Sequence, residues 1–146
     1  RRATTELVES LVARGDFLLL DVRDGPEYEG VPAGDPYGAA RSGHIPGALW
    51  WPWRQRLFDL AGGASGPPRI RTCDEIQASL PATAATGEVV AYCTGGIRSG
   101  FAYLALRGCG VARPRNYDGS WWAWAASDAL PCVGAGPGCM TESEAA

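Results

Sequence analysis

Cys93 is the residue of this chain whose neighbours best equip it for covalent chemistry, because it opens the run Cys93-Thr94-Gly95-Gly96-Ile97-Arg98-Ser99. A thiol attacks as its thiolate, and its ordinary pKa of about 8.5 falls at a helix N-terminus or beside a cation. Both conditions are on offer. Glu88 to Tyr92 reads as a core strand, and Ser99 to Arg107 carries Phe101, Tyr103, Leu104 and Leu106 as a partly buried helix. In that strand, loop, helix order the N–H groups from Thr94 to Ser99 can curl around the sulfur, and Gly95 and Gly96 permit the backbone angles of such a nest. The loop is expected to bind an anion: the thiolate, a Cys93 persulfide or the sulfonate-like end of a sulfur donor. Arg98 would add charge or brace the loop. The plain alternative is a small buried residue at a strand end, since free cysteines are commonly buried and inert.

Other reactive types are weaker candidates. His44, within Gly43-His44-Ile45-Pro46-Gly47, has the chemistry of a general base, but a turn histidine bonded to backbone is the expected role. Asp21 and Arg23 are expected to pair and hold a strand end. Trp121, Trp122 and Trp124 read as core rather than a stacking platform. Cys73, Cys109, Cys132 and Cys139 lack glycine-rich loops and read as inert thiols.

The elements that must position Cys93 alternate along the chain, which favours an α/β fold. Thr4 to Ala13 has helical apolar spacing and stops at Gly15; Phe17 to Val22 is a buried strand. Gly25 to Gly47 reads as an irregular surface connection, and Ala48 to Trp51 as a short strand. Ala61 to Pro68 is a flexible stretch. Thr72 with Glu75 forms a capping box starting a helix through about Leu80. Arg115 to Tyr117 is a last strand, the tryptophans a final helix, and residues 134–146 a disordered tail.

At 146 residues the chain suits one domain, and 13 basic against 16 acidic residues leave a net charge of -3 without a basic run. Neither nucleic acid nor a membrane is an expected partner: no apolar stretch approaches the ~20 residues of a span. The chain opens Arg1-Arg2-Ala3 with no methionine or apolar signal core, which is compatible with a trimmed chain or with a piece of something longer. Five cysteines without a C-x-x-C pair, and one histidine, suggest neither a disulfide framework nor a zinc site. Thiols in a reducing cytoplasm are the expectation.

Four segments in order, Leu19-Leu20-Asp21-Val22-Arg23, Gly43-His44-Ile45-Pro46-Gly47-Ala48, Tyr92-Cys93 with its loop, and Tyr117-Asp118-Gly119-Ser120-Trp121, together resemble the rhodanese superfamily. The Asp-Gly-Ser-Trp segment, the long insertion before Gly43 and Pro131 look most like the C-terminal catalytic domain of tandem thiosulfate and 3-mercaptopyruvate sulfurtransferases. The resemblance implies a three-layer domain over residues 4–133, with a central parallel five-stranded sheet flanked by helices. It also implies a ping-pong cycle: Cys93 takes a sulfane sulfur from a small-molecule donor and passes it, as a persulfide, to a thiophilic acceptor. No metal or organic cofactor is implied. Arg41 and Arg98 would be anion contacts, and a second rhodanese-like domain a companion.

The chain departs from the tandem pattern in places. Thr94-Gly95-Gly96-Ile97-Arg98 lacks the two basic residues of thiosulfate-preferring loops and is not the Gly-Ser-Gly-Val-Thr of mercaptopyruvate enzymes; it looks like the loop of the rhodanese domain in tRNA uridine hydroxylases. Glu27 stands where the tandem enzymes' catalytic domain carries a substrate-binding arginine, so an acidic donor loses a contact there. Two alternatives are a non-enzymatic rhodanese-like binding or regulatory module and a phosphatase of the cell-division-cycle type. The latter needs five residues between cysteine and arginine, whereas four separate Cys93 from Arg98.

Overall fold

The computed structural model describes residues 1–31, 37–60 and 67–145. Its strands are β1 (Arg2–Ala3), β2 (Leu18–Asp21), β3 (Leu49–Trp50), β4 (Phe58–Asp59), β5 (Arg69–Ile70), β6 (Glu88–Tyr92) and β7 (Arg113–Tyr117). Five of them form a parallel sheet in the order β1-β7-β6-β2-β3, as expected, and β4 and β5 make a small antiparallel ribbon. The centre of a parallel sheet is covered on both faces, which is why β2 and β6 read as nearly continuous apolar runs instead of alternating ones. Side chains on successive strand residues point to opposite faces. Leu19, Val90 and Tyr92 therefore pack with Val8, Leu11, Trp121 and Trp124 on one face, and Leu20, Val89 and Ala91 with Ile76, Ala102 and Leu106 on the other.

The helices that supply these layers are α1 (Thr5–Arg14), α2 (Gly25–Glu29), α3 (Trp53–Leu57), α4 (Cys73–Ala78), α5 (Ile97–Gly108), α6 (Ser120–Ala125) and the short α7 (Glu142–Ala145). Thr4 caps α1 by accepting the Leu7 N–H, and Gly15 ends it in the left-handed conformation at φ 70°. At α4 the capping box forms as the sequence indicates: Thr72 accepts the Glu75 N–H while Glu75 accepts the Thr72 N–H.

The register between β2 and β6 locates the functional edge. Leu18 pairs with Val89 and Asp21 with Tyr92, so both strands end level and the chain leaves them side by side at Val22 and Cys93. Open parallel sheets bind ligands at this carboxyl edge. Behind it, Arg23 and Asp21 form the expected pair, with Arg23 Nη2 at 2.6 Å from both Asp21 Oδ2 and the Gly43 carbonyl. Both side chains are buried, and the guanidinium lies 5.0 Å from the Trp121 ring.

Several expectations are corrected. Four cysteines are not thiols: Cys73 is bonded to Cys109 and Cys132 to Cys139, leaving Cys93 free. The start of α4 and the C-terminal cap of α5 meet across 36 residues of chain, a proximity that spacing alone does not encode. Without that premise the expectation of a reducing cytoplasm loses its support, since disulfides persist in oxidising surroundings. The connection after Gly25 is not wholly irregular, because α2 lies within it. Residues 134–145 do not form a disordered tail: Gly134 donates to the Met140 carbonyl, Ala135 to that of Glu29, and the second disulfide closes the loop. Most of the expected flexible stretch from Ala61 to Pro68 lies outside the described residues. No helix among the described residues is long and apolar enough to cross a membrane.

Candidate active site

Cys93 sits at the end of β6, 2% exposed, where the chain turns into α5. The turn is a true nest: the Gly96 N–H points at Cys93 Sγ at 3.1 Å, and the Ser99 hydroxyl donates to the same sulfur at 3.5 Å. Burial pushes the thiol pKa up. Hydrogen bonds from the Ser99 side chain and from the N–H groups of Ser99, Gly96 and Gly95 outweigh it, and the pKa is held below the ordinary value. Two glycines make the turn possible. Gly96 has φ 92°, and a Cβ there would lie 2.6 Å from the Asp118 carbonyl oxygen; a Cβ on Gly95 would lie 2.7 Å from the Trp122 ring.

Above the sulfur lies a cavity of about 260 Å³ lined by Tyr37, Cys93, Thr94, Gly95, Ile97, Arg98 and Trp122. Arg98 closes the loop as the sequence suggests, but its charge is already engaged. Its Nη1 and Nη2 each donate to Glu27 at 2.8 Å, Nη2 also donates to Thr94 Oγ1 at 2.7 Å, and the Thr94 hydroxyl donates to Glu27 Oε1 at 2.8 Å. Glu27 is 4% exposed. Burial raises its carboxyl pKa, but bonds from Arg98 and Thr94 prevail and keep it ionised below the usual carboxylate range. Glu27 reaches this position because α2 begins directly after the Asp21-Val22-Arg23 strand end, with Glu27 Oε2 accepting the Asp24 N–H at 3.2 Å.

Thr94, Gly95, Gly96, Ile97, Arg98 and Ser99 are thus brought together around Cys93. Arg41 is not. Its guanidinium donates to the carbonyls of Trp124, Ala125, Ser127 and Leu130 and to Cys132 Sγ, so it clamps the chain after α6 instead of facing an anion. His44 is structural, as expected: Nδ1 donates to the Tyr28 carbonyl at 2.7 Å and the ring stacks on Tyr28 at 3.8 Å.

Trp122 departs from the core reading of the tryptophans. A helix advances about 100° per residue, so Trp121 and Trp124 face the sheet while Trp122 stands half exposed at the cavity mouth. Two residues not named as site candidates also belong here: Glu27, and Ser120. The buried Ser120 hydroxyl accepts the Cys93 N–H. The Asp-Gly-Ser-Trp segment was the available signal for Ser120; for Glu27 it was the acidic residue at an otherwise basic position.

Residues 4–127 match the model of the rhodanese-like domain. The thiosulfate sulfurtransferase of Pseudomonas aeruginosa is 32% identical over 124 residues, covering 84% of this chain and 42% of that protein. That of Corynebacterium glutamicum is 34% identical over 131 residues, covering 85% and 40%. The chain therefore spans about two fifths of the length of these curated relatives. Among solved structures, the anaerobic ergothioneine biosynthesis enzyme of Chlorobium limicola superposes with a TM-score of 0.73 at 24% identity, over 90% of this chain and 31% of that one. The Tum1 protein of Saccharomyces cerevisiae gives 0.65 at 25%, over 86% and 43%. With a matching family model over most of its length and the five-stranded parallel sheet described above, this chain belongs to the rhodanese family.

Proposed function

We propose that this domain is a sulfurtransferase working through a Cys93 persulfide. The observation that carries the reading is the single free cysteine, held with a lowered pKa inside a nest of N–H donors at a cavity floor. With thiosulfate, the Cys93 thiolate attacks the outer sulfur, a new S–S bond forms to Sγ, and the bond to the sulfonate breaks as sulfite leaves with its electron pair. The persulfide anion then occupies the nest that held the thiolate. With 3-mercaptopyruvate the same attack would release pyruvate after protonation of its enolate. A thiophilic acceptor next takes the outer sulfur and returns Cys93 as thiolate. Arg98 braces the loop through Glu27 and Thr94 and leaves anion binding to the backbone.

The relatives named thiosulfate sulfurtransferase support this class of reaction, and their greater length supports a second rhodanese-like domain as companion. We place the reaction in oxidising surroundings instead of the cytoplasm, because two disulfides accompany the free thiol.

The test is thiocyanate formation from cyanide, with thiosulfate and 3-mercaptopyruvate as alternative donors, on this chain and on Cys93→Ser. Turnover abolished by the substitution is the expected result. A folded chain that gives none with either donor would remove autonomous activity.

A further inference from the structure

The walls around Cys93 define what a sulfur acceptor must look like, on the basis of the sulfurtransferase reading above. Charge comes first. Arg98 is the one cation among the described residues of the cavity lining, and it is matched by Glu27 at 2.8 Å, with Asp24 Oδ2 a further 3.9 Å from Nη1. Two carboxylates thus surround one guanidinium. Arg23, paired with Asp21, and Arg41, spent on carbonyls, do not relieve this. A negatively charged body entering the cavity gains the loop N–H groups at its reacting end and, among the described lining residues, no unneutralised cation.

The apolar side of the cavity is equally defined. Trp122 lies against the backbone of Gly95, which has no Cβ to hold it off, and its Nε1 donates to the Tyr37 carbonyl at 3.2 Å. Tyr37 in turn presents its ring to Arg98, 5.3 Å from the guanidinium carbon. Ile97 completes the mouth and is 87% exposed. Large apolar surfaces at a small cavity are what an apolar ligand covers.

We propose that the acceptor is an uncharged thiol with an apolar or aromatic body, seated against Trp122 and Tyr37, and that Glu27 enforces this choice by neutralising Arg98. The acceptor sulfur bonds to the outer persulfide sulfur, its thiol proton passes to that sulfur, and the S–S bond to Cys93 breaks. The products are the acceptor persulfide and the Cys93 thiolate.

The test loads Cys93 with excess thiosulfate, removes the donor and verifies the gain of one sulfur by intact mass. Single-turnover transfer is then timed with benzyl mercaptan and with 2-mercaptoethanesulfonate. Each rate is divided by that of the same thiol with a small-molecule persulfide to cancel intrinsic nucleophilicity. We expect about a tenfold preference for benzyl mercaptan, equivalent to about 1.4 kcal/mol. It should shrink in Trp122→Ala through a slower aromatic thiol and in Glu27→Gln through a faster sulfonate. Equal rates, a preference for the sulfonate, or a preference unchanged in both variants would overturn the proposal while leaving sulfur transfer intact. A Cys93 that gains no sulfur would instead overturn the sulfurtransferase reading, and this one with it.

Discussion

Ser120 and Cys93 are joined across 27 residues of sequence: the Ser120 hydroxyl accepts the Cys93 N–H at 3.1 Å and donates to the Tyr117 carbonyl at 2.7 Å. One buried side chain thereby ties the end of β7 to the base of the nest. Ser120 holds φ at 53°, unusual for a residue with a side chain, a conformation kept only where the surroundings over-determine it. Ser120→Ala would leave the buried Cys93 N–H without its acceptor and should destabilise the fold by about 1–3 kcal/mol. Urea unfolding measures this directly. A loss below about 0.5 kcal/mol, the usual scatter of surface substitutions, would show that the bond is incidental.

The lowered Cys93 pKa has a signed consequence for pH. The thiolate is the reactive form, so alkylation by iodoacetamide should follow a titration centred below the ordinary thiol value of about 8.5, fast above that midpoint and slowing as pH falls through it. Stability follows the same sign: the part owed to the thiolate's hydrogen bonds is fully present above the unfolded-state pKa and lost as pH falls through the folded one. In Ser99→Ala the midpoint should move upward, because the hydroxyl bond favours the charged form. A midpoint that stays in place would assign the shift to the backbone alone.

Gly96→Ala combines two conflicts, a positive φ and a Cβ placed 2.6 Å from the Asp118 carbonyl oxygen. It should cost about 1–3 kcal/mol and slow Cys93 alkylation at neutral pH, because the N–H that it displaces is the one at 3.1 Å from the sulfur. Thermal melting and alkylation read the two effects separately. Unchanged reactivity in a destabilised variant would mean that the nest tolerates movement at this point.

Thiol counting tests the disulfide pairs. Ellman's reagent in denaturant should find one thiol before reduction and five after it. Removing the Cys73–Cys109 bond, which closes a 36-residue separation, should cost about 4 kcal/mol, and removing the 7-residue Cys132–Cys139 link about 2 kcal/mol, by loop-closure entropy. Melting of Cys73→Ser/Cys109→Ser and Cys132→Ser/Cys139→Ser provides the comparison. Equal losses would argue that chain entropy is not what these bonds contribute.

What could be read along the chain was whatever is local. Strand, glycine pair and helix are contiguous around Cys93, so the nest follows from spacing; the apolar runs of β2 and β6 likewise announce a buried parallel sheet. What escaped depends on direction or on distance in sequence. Glu27 meets Arg98 across 71 residues and Cys73 meets Cys109 across 36, contacts that no local pattern encodes. Arg41 is visibly a charge, yet only the folded path of residues 124–130 shows that it points at carbonyls. Trp122 has the composition of core and the helical phase of a surface residue.

Because β2 and β6 end level, two separate pieces of chain meet at this edge: the loop after β6 surrounds the sulfur, and α2 after β2 supplies the carboxylate that pairs with Arg98. Exchanging the four residues from Asp24 to Glu27 would alter the charges at the mouth and, through Arg98 and Thr94, the bracing of the loop as well. Four residues, little more than one helical turn, thus connect the mouth of the cavity to the grip on the sulfur.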